Sequence, residues 1–324
     1  MTILIRAILS LMVPLTWSLG LAAAQTSDFP NRPIRVLVPY GPGGVDYQIR
    51  ALAPALGNLL GQQIVVENRE GGGAIIGTAA VKSAPPDGYT LLFTGTAALS
   101  VVPHLRKAPY VIRDFEPIGN VTATPLIVTA RGNAPFKTLA ELLAHARANP
   151  GKVNMGSAGS GTSTHIVGEA FQAAAGIKFT HVPFRGVGAA TNAMLSGDVD
   201  LVIGVPGVMV PHFATGKLVA LASTGKARSE FVLDVPSLFE TGLDVVEETK
   251  FGLLAPSGTP ALVLQRLTDA LAQTATAPEF INLMRQTFAT QAYLPPTQFR
   301  AAIDAEDLYW SKLLKDPRFS DLIQ

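Results

Sequence analysis

The sequence contains no cysteine, and this absence excludes several kinds of protein. Disulfide-stapled modules, thiol catalysis and cysteine-ligated zinc sites all need a cysteine sulfur, so none of them is possible here. Net charge is also nearly absent, because 25 Lys and Arg residues are balanced by 24 Asp and Glu residues. A chain this close to neutral lacks the broad basic surface of nucleic-acid-binding proteins. Nucleic acid is therefore not an expected partner.

Long apolar runs are scarce as well, and the one of note lies at the N-terminus. Arg6 is followed by an apolar run over residues 7–15 and by the small residues Ala22, Ala23 and Ala24. This order is typical of a secretory signal peptide, and the run is shorter than the roughly 20 residues of a membrane span. An uncleaved anchor is the alternative. We expect residues 1–24 to be cleaved and the cysteine-free chain to be periplasmic.

Short apolar runs alternate with amphipathic segments along the rest of the chain, whose 300 residues favour two domains. This alternation predicts an α/β fold with parallel-rich sheets and helices on both faces. Strands are expected at Ile34–Val38, Ile64–Glu67, Tyr89–Phe93, Leu126–Ala130, Val153–Gly156, Phe179–Val182, Val199–Ile203 and Phe251–Ala255. Helices are expected at Asp46–Leu60, Ala74–Ser83, 138–148, Thr162–Ala175, 260–275, 278–288 and 297–314.

Helix ends carry local signals. Asp46 and Thr259 are expected as N-caps, and Thr138 is expected to open a capping box. Gly176 should end its helix, and Pro54 should bend or break the first one.

No Ser/Gly-rich linker separates the two blocks of elements. We therefore expect the chain to begin one lobe, cross to a second and return, with crossings near Val121–Leu126 and Glu247–Phe251. Lobe one would comprise residues 25–124 and 250–324, and lobe two residues 125–249.

The first candidate site is a Gly-rich loop between the first strand and the first helix. Glycines let the backbone turn sharply and expose its N–H groups, and the following helix N-terminus adds partial positive charge. The loop is therefore either an anion site or a tight turn without a ligand. Its candidate residues are Tyr40, Gly41, Pro42, Gly43, Gly44 and Asp46.

A second candidate loop, rich in Gly, Ser and Thr, precedes the helix at Thr162. It nearly matches the phosphate loop G-x-x-x-x-G-K-[ST], but Thr162 replaces the lysine that binds nucleotide phosphates. A smaller anion, held by N–H and O–H groups, fits better. Its candidate residues are Ser157, Gly159, Ser160, Gly161, Thr162 and His165.

Two further segments follow strands at the same edge of their sheets. Phe184 is a candidate wall for a ligand and Arg185 a candidate partner for a carboxylate, or they are a packed Phe beside an exposed Arg. Thr94 and Thr96 are weaker candidates whose alternative is a simple turn.

The sequence shows few motifs that indicate catalysis. The serines show no G-x-S-x-G elbow, the histidines show no metal spacing, and no nucleophile is visible beside a base. His165 is expected to cap or pack rather than act as a base. We expect neither enzymatic activity, nor a cofactor, nor a bound metal.

An ordered series of short motifs carries a family resemblance over essentially the whole mature chain. The series comprises Asn31–Arg35, Pro39–Gly44, Val65–Arg69, Pro86–Leu92, Gly159–His165, Val182–Gly186, Gly197–Asp200 and Ala255–Pro260. In these motifs the chain resembles the substrate-binding receptors of tripartite tricarboxylate transporters, the Bug or TctC-like family.

The resemblance implies a two-lobed periplasmic binding protein of the type II, Venus-flytrap kind. It implies that a small organic carboxylate is held between the Gly loop and the Ser/Thr loop, and that a monomeric closed form docks on a membrane permease. A ligand-presenting sensor for a membrane signalling protein and an exported hydrolase are the alternatives.

The chain departs from the family pattern at two informative places. Only Val45 separates Gly44 from Asp46, where the family usually has two residues. Lys250 stands where an aromatic residue is common. We expect an altered pocket on an unaltered fold.

Overall fold

The computed structural model describes residues 28–315, which form two α/β lobes, each built on its own mixed sheet. The strands are Ile34–Val38 (β1), Ile64–Asn68 (β2), Thr90–Gly95 (β3), Phe115–Pro125 (β4), Ile127–Arg131 (β5), Asn154–Ser157 (β6), Thr180–Pro183 (β7), Leu201–Gly204 (β8), Leu218–Ser223 (β9), Glu248–Pro256 (β10) and Gln291–Leu294 (β11). The helices are Val45–Leu60 (α1), Ile75–Lys82 (α2), Ala97–Ser100 (α3), Val102–Leu105 (α4), Leu139–Ala148 (α5), Ser163–Ala175 (α6), Val187–Ser196 (α7), Ala261–Ala275 (α8), Pro278–Gln286 (α9) and Pro296–Leu313 (α10). Within this range, no helix combines the length and the apolar character that a membrane span requires.

The α/β class predicted from the sequence is confirmed, but the expected parallel-rich sheets are not. Among the described residues four strand pairs are parallel and five are antiparallel, because β4, β5 and β10 run against their neighbours. The first lobe has the strand order β11-β4-β10-β3-β1-β2, and the second has the order β7-β6-β8-β5-β9. In the first lobe β1 is parallel to β2 and β3, whereas β10 is antiparallel to β3 and β4. In the second, β6 is parallel to β7 and β8, whereas β5 is antiparallel to β8 and β9.

The chain passes between the lobes along two neighbouring strands. β4 leads directly into β5, β10 brings the chain back, and the two pair from Glu248 opposite Pro125 to Pro256 opposite Phe115. Two adjacent crossings allow the lobes to rotate about one small region. The predicted domain limits at 124/125 and 249/250 stay a prediction, and the predicted signal peptide lies outside the described residues.

Helix α1 anchors the Gly loop that precedes it. Its side chains Ile49, Leu52 and Leu56 are almost fully buried, and their spacing of three and four residues places them on one helix face. Truncating one of them to Ala would cost about 2–5 kcal/mol, because a cavity adds to the lost burial. The loop is therefore held by a firmly packed helix.

Two predicted N-caps are wrong. Gly44 caps α1, and Asp46 lies inside the first turn, where Arg50 bonds its carboxylate. Pro260 precedes α8, while the Thr259 hydroxyl donates back to the carbonyl of Pro256. In both cases the side chain bonds a partner other than the N–H groups at the helix N-terminus.

Two other helix-end predictions agree with the structure. The capping box of Thr138 with Glu141 and the left-handed Gly176 at the end of α6 are confirmed. α1 is not broken at Pro54, because Pro54 is exposed and water can bind the carbonyl that loses its partner.

Candidate functional site

Three helix N-termini meet where the lobes face each other. The first residues of α1, α6 and α7 all line one small cavity of about 30 Å³. A cavity of that size has room for about two water molecules, or for a group the size of a carboxylate. The wall consists of Tyr40, Gly41, Gly43, Val45, Ala158, Thr162, Ser163, Thr164, Val187, Val205 and Phe251.

Backbone donors supply the positive potential at this junction. The N–H groups of Gly43, Gly44, Ser163 and Thr164 have no hydrogen-bond partner within residues 28–315. They lie at the start of α6 and at or just before the start of α1, where unsatisfied N–H groups and the aligned peptide dipoles attract anions. The wall of this cavity contains no charged side chain. The site therefore suits an anion bound by main-chain and hydroxyl groups.

The Gly loop reaches this position because of its backbone conformation. Gly43 and Gly44 have φ values of 103° and 55°, in the region that favours glycine. A Cβ atom at Gly44 would lie 2.8 Å from Val187 Cγ1 and 3.0 Å from Val205 Cγ2. The absent side chain is what lets the first lobe approach the second.

The two lobes are closed on each other through main-chain contacts. The Gly41 N–H donates to the carbonyl of Arg185 across the lobes at 2.9 Å, and Gly73 lies against the carbonyl of Ser160. The guanidinium of Arg185 is 80% exposed and lies 3.6 Å from Glu70. Its side chain is thus outside the cavity, while its carbonyl closes the rim.

A polar chain holds the Gly loop from behind. The buried carboxylate of Asp46 accepts from Arg50 Nε at 2.9 and 3.0 Å, and Arg50 donates to Asn68 at 2.9 Å. Asn68 in turn donates to the carbonyl of Tyr40 at 2.9 Å. Asp46 therefore positions the loop and does not face the cavity.

The threonines after β3 are also engaged within the first lobe. Thr94 Oγ1 lies 3.2 Å from the hydroxyl of Tyr40, and Thr96 donates to Glu306 at 2.6 Å. Burial raises the pKa of Tyr40, so its phenol stays neutral. Both threonines are buried outside the cavity wall.

The Ser/Thr loop of the second lobe is braced by its own hydroxyls. Thr162 donates to the carbonyl of Gly159 at 2.6 Å, and Thr164 Oγ1 accepts from the N–H of Ala158 at 2.8 Å. These two hydroxyls also meet at 2.9 Å, with Thr164 donating, because Thr162 already donates to Gly159. The hydroxyl of Ser163 makes no bond to residues 28–315 and is free to bind a ligand.

Two neutral histidines pack behind this loop. His165 and His181 are stacked with ring centroids 3.8 Å apart, and His165 Nδ1 accepts from the N–H of Gly161 at 3.1 Å. Burial, with His181 and Arg106 nearby, lowers the pKa of His165 to about 3. Burial and Arg106 lower the pKa of His181 to about 4. The stack therefore carries no charge at neutral pH.

The expectation that no nucleophile lies beside a base is wrong, because the structure brings a serine next to a histidine. Ser157 Oγ lies 2.6 Å from His181 Nε2 and accepts from the N–H of Gly159 at 3.1 Å. Ser157 is fully buried. A nucleophile needs access to its substrate, so this pair acts as a structural brace for the loop.

Lys250 lies outside the cavity wall, in a group of acidic residues. Burial and the neighbouring Glu306 raise the pKa of Glu247 to about 8, while Lys250 acts in the opposite direction. Glu306 also has a raised pKa, again mainly through burial. The aromatic wall of the cavity is supplied by the next residue, Phe251.

The predicted loops thus surround the cavity, although only part of them lines it. Four predicted site residues are in the wall: Tyr40, Gly41, Gly43 and Thr162. The others lie around it: Pro42, Gly44, Asp46, Thr94, Thr96, Ser157, Gly159, Ser160, Gly161, His165, Phe184 and Arg185. Phe184 packs on the backbone of Gly156. The wall residues that the sequence did not indicate are Val45, Ala158, Ser163, Thr164, Val187, Val205 and Phe251.

Comparison with known proteins agrees with this architecture. The chain is 34% identical to a Cupriavidus necator protein named "UPF0065 protein in gbd 5'region", over 92% of each chain. It superimposes on the periplasmic binding protein BugD with a TM-score of 0.85 at 32% identity, covering 89% of this chain and 98% of BugD. MatC from Rhodopseudomonas palustris, solved with bound malate, gives a TM-score of 0.83 at 27% identity, covering 88% and 100%.

The two-lobed periplasmic binding fold expected from the sequence is therefore confirmed. The family described as "Tripartite tricarboxylate transporter family receptor" matches residues 48–316. With that match and full-length relatives above 30% identity, the chain belongs to the family of tripartite tricarboxylate transporter receptors.

Proposed function

We propose that the protein is an exported periplasmic receptor that captures a small organic carboxylate between its lobes. The observation that carries this proposal is the meeting of three helix N-termini at one cavity, with unpartnered N–H groups at the starts of α1 and α6. A carboxylate has two oxygens that each accept hydrogen bonds, and it gains from the partial positive charge of helix N-termini. The Gly loop and the Ser/Thr loop then act as the two halves of a clamp.

The ligand class is supported by the neighbouring structures. MatC, which shares the fold at a TM-score of 0.83, was solved with malate. Binding of such an acid shifts the population toward closed lobes, by no more than the difference in its affinity for the two states.

The partner is a membrane permease of the tripartite tricarboxylate type, which receives the acid from the closed receptor. Family membership supports this assignment. Deleting the gene should lower the uptake of the bound acid by intact cells, and uptake that is unchanged would favour a sensing role instead.

A thermal-shift screen of residues 25–324 against a panel of organic acids tests the binding function. An acid at 100 times its dissociation constant should stabilise the protein by about 2.7 kcal/mol. Matching alcohols and amides control for general solvent effects. Absence of a shift with every acid would contradict the proposal, and turnover of a bound compound would favour an enzyme.

A further inference from the structure

The cavity wall divides into a polar part and an apolar part. The polar part is formed by the Ser/Thr loop and the Gly loop, where the free N–H groups and the Ser163 hydroxyl lie. The apolar part is formed by Val45, Val187, Val205 and Phe251, each at most 7% exposed. The polar part can bind one ionised group of a ligand. The rest of that ligand then contacts the apolar side chains of the wall.

The basic side chains around the clamp lie outside the cavity wall. Arg50 is bonded to Asp46 and Asn68, the guanidinium of Arg185 lies outside beside Glu70, and Lys250 acts on Glu247 and Glu306. Arg106 acts on the two stacked histidines and is not part of the wall. A second carboxylate on the ligand would find no cation in the wall.

From these observations we infer that the ligand is a monocarboxylate with a short apolar tail. Its carboxylate lies at the helix N-termini, and its tail lies against the three valines and Phe251. Burying a second ionised carboxylate among these side chains is unfavourable, because no partner compensates for the lost hydration. The inference rests on the proposed function and specifies the ligand class of the same site.

The size of the cavity favours a short tail. The cavity volume of about 30 Å³ is close to that of the carboxylate group itself, so the lobes must separate slightly to admit the rest of the ligand. Each additional methylene requires further separation and weakens the contacts of Gly41 and Gly73 across the lobes. Four carbons are therefore expected to fit better than six.

Isothermal titration calorimetry on residues 25–324 at pH 7 tests the inference with acids of matched length. Butyrate is compared with succinate, and hexanoate with adipate, since each pair differs by one carboxylate. We expect butyrate to bind at least about tenfold more tightly than succinate, and more tightly than hexanoate. Equal or tighter binding of the dicarboxylates would overturn the inference while leaving the receptor function intact. Binding of none of the four acids would overturn the inference, whereas the receptor function is contradicted only if no acid of the thermal-shift panel binds.

A substitution of nearly equal volume tests the apolar wall directly. Val205→Thr replaces one methyl group by a hydroxyl and should weaken butyrate binding about fourfold, the value of one buried methyl group. The preference for butyrate over succinate should shrink by a similar factor. Val65→Thr, an identical change at an exposed position of β2, should leave both affinities unchanged. An unchanged preference in Val205→Thr, with the fold shown intact by circular dichroism, would remove Val205 from the binding wall and contradict the inference.

Discussion

The N–H of Gly41 and the carbonyl of Arg185 form a 2.9 Å hydrogen bond that joins the two lobes. The bond uses main-chain atoms on both sides, as does the contact of Gly73 with the Ser160 carbonyl. Closure of this protein therefore depends on close backbone approach, which only small residues permit. The side chains that would ordinarily bridge such lobes, Arg185 and Glu70, meet at the solvent-exposed rim.

Gly44 offers the sharpest test of closure. Gly44→Val would place a side chain against Val187 and Val205, so we expect ligand binding to be lost while the separate lobes remain folded. Gly61→Val is the matched control, because Gly61 also has a positive φ, of 72°, but nothing lies within 4 Å of its Cβ position. Calorimetric titration should show binding by the control and none by Gly44→Val. Equal affinity in the two variants would disprove the placement of the Gly loop.

Arg50 is expected to affect both stability and ligand affinity without contacting the ligand. Arg50→Ala leaves the Asp46 carboxylate, which is 3% exposed, without its partner and removes the bond that orients the Asn68 amide toward the carbonyl of Tyr40. The loss should be about 1–3 kcal/mol of stability, because a buried acceptor is left unsatisfied. Ligand affinity should fall as well, since the loop becomes mobile.

Arg285→Ala provides the control for this effect. Arg285 and Glu230 are 68% and 45% exposed at a separation of 3.8 Å, so the pair should contribute less than about 1 kcal/mol. Urea unfolding of both variants measures the difference. A loss in Arg50→Ala no greater than in Arg285→Ala would show that the polar chain behind the loop is not stabilising.

Local signals were sufficient for much of the fold. β1 was predicted with its observed bounds, and the capping box at Thr138 was predicted with its partner, because both depend on neighbours within a few residues. β4 was missed although it is 11 residues long. It contains Pro117, Gly119 and Pro125, and its extended form depends on pairing with β10, more than a hundred residues away. That pairing is not visible in the local pattern.

For the site as well, local features could be predicted from the sequence and long-range contacts could not. Its two loops were located because glycine, serine and threonine at a strand-to-helix junction are a local signal. Val205 and Phe251 could not be located in this way, since they become wall residues only when two lobes meet. Ser157 and His181 are 24 residues apart and come together because β6 and β7 pair in parallel. Side-chain chemistry across strands or lobes requires the tertiary structure.

Stability should fall in mild acid because of the histidine stack. The folded-state pKa values of His165 and His181, about 3 and about 4, lie below the value of about 6.5 for an unfolded chain. Above pH 6.5 neither state binds a proton there, so the histidines have no effect on the pH dependence. Below it the unfolded chain takes up protons that the folded chain excludes, and stability falls until about pH 4 for His181 and about pH 3 for His165.

His165→Gln isolates this contribution. At pH 5 the lowered pKa of His165 should reduce the free energy of unfolding by about 2 kcal/mol relative to its value well above pH 6.5. Glutamine does not titrate, so the variant should lose less stability than the wild type between pH 6.5 and 4. Chemical unfolding at a series of pH values gives the slopes. Identical slopes would mean that the pKa of His165 is the same in the folded and the unfolded chain.

The Ser157→Ala substitution tests whether Ser157 stabilises the loop or acts as a nucleophile. The hydroxyl connects His181 with the N–H of Gly159, so its removal should cost about 1–3 kcal/mol of stability by leaving that buried N–H unpaired. Ligand affinity should fall modestly, because the Ser/Thr loop loses one contact without losing its own threonine bonds. Activated esters incubated with the wild type should hydrolyse no faster than with Ser157→Ala, because the serine is fully buried. Hydrolysis by the wild type that Ser157→Ala abolishes would instead make Ser157 and His181 a working catalytic pair, and the receptor family would then contain an enzyme.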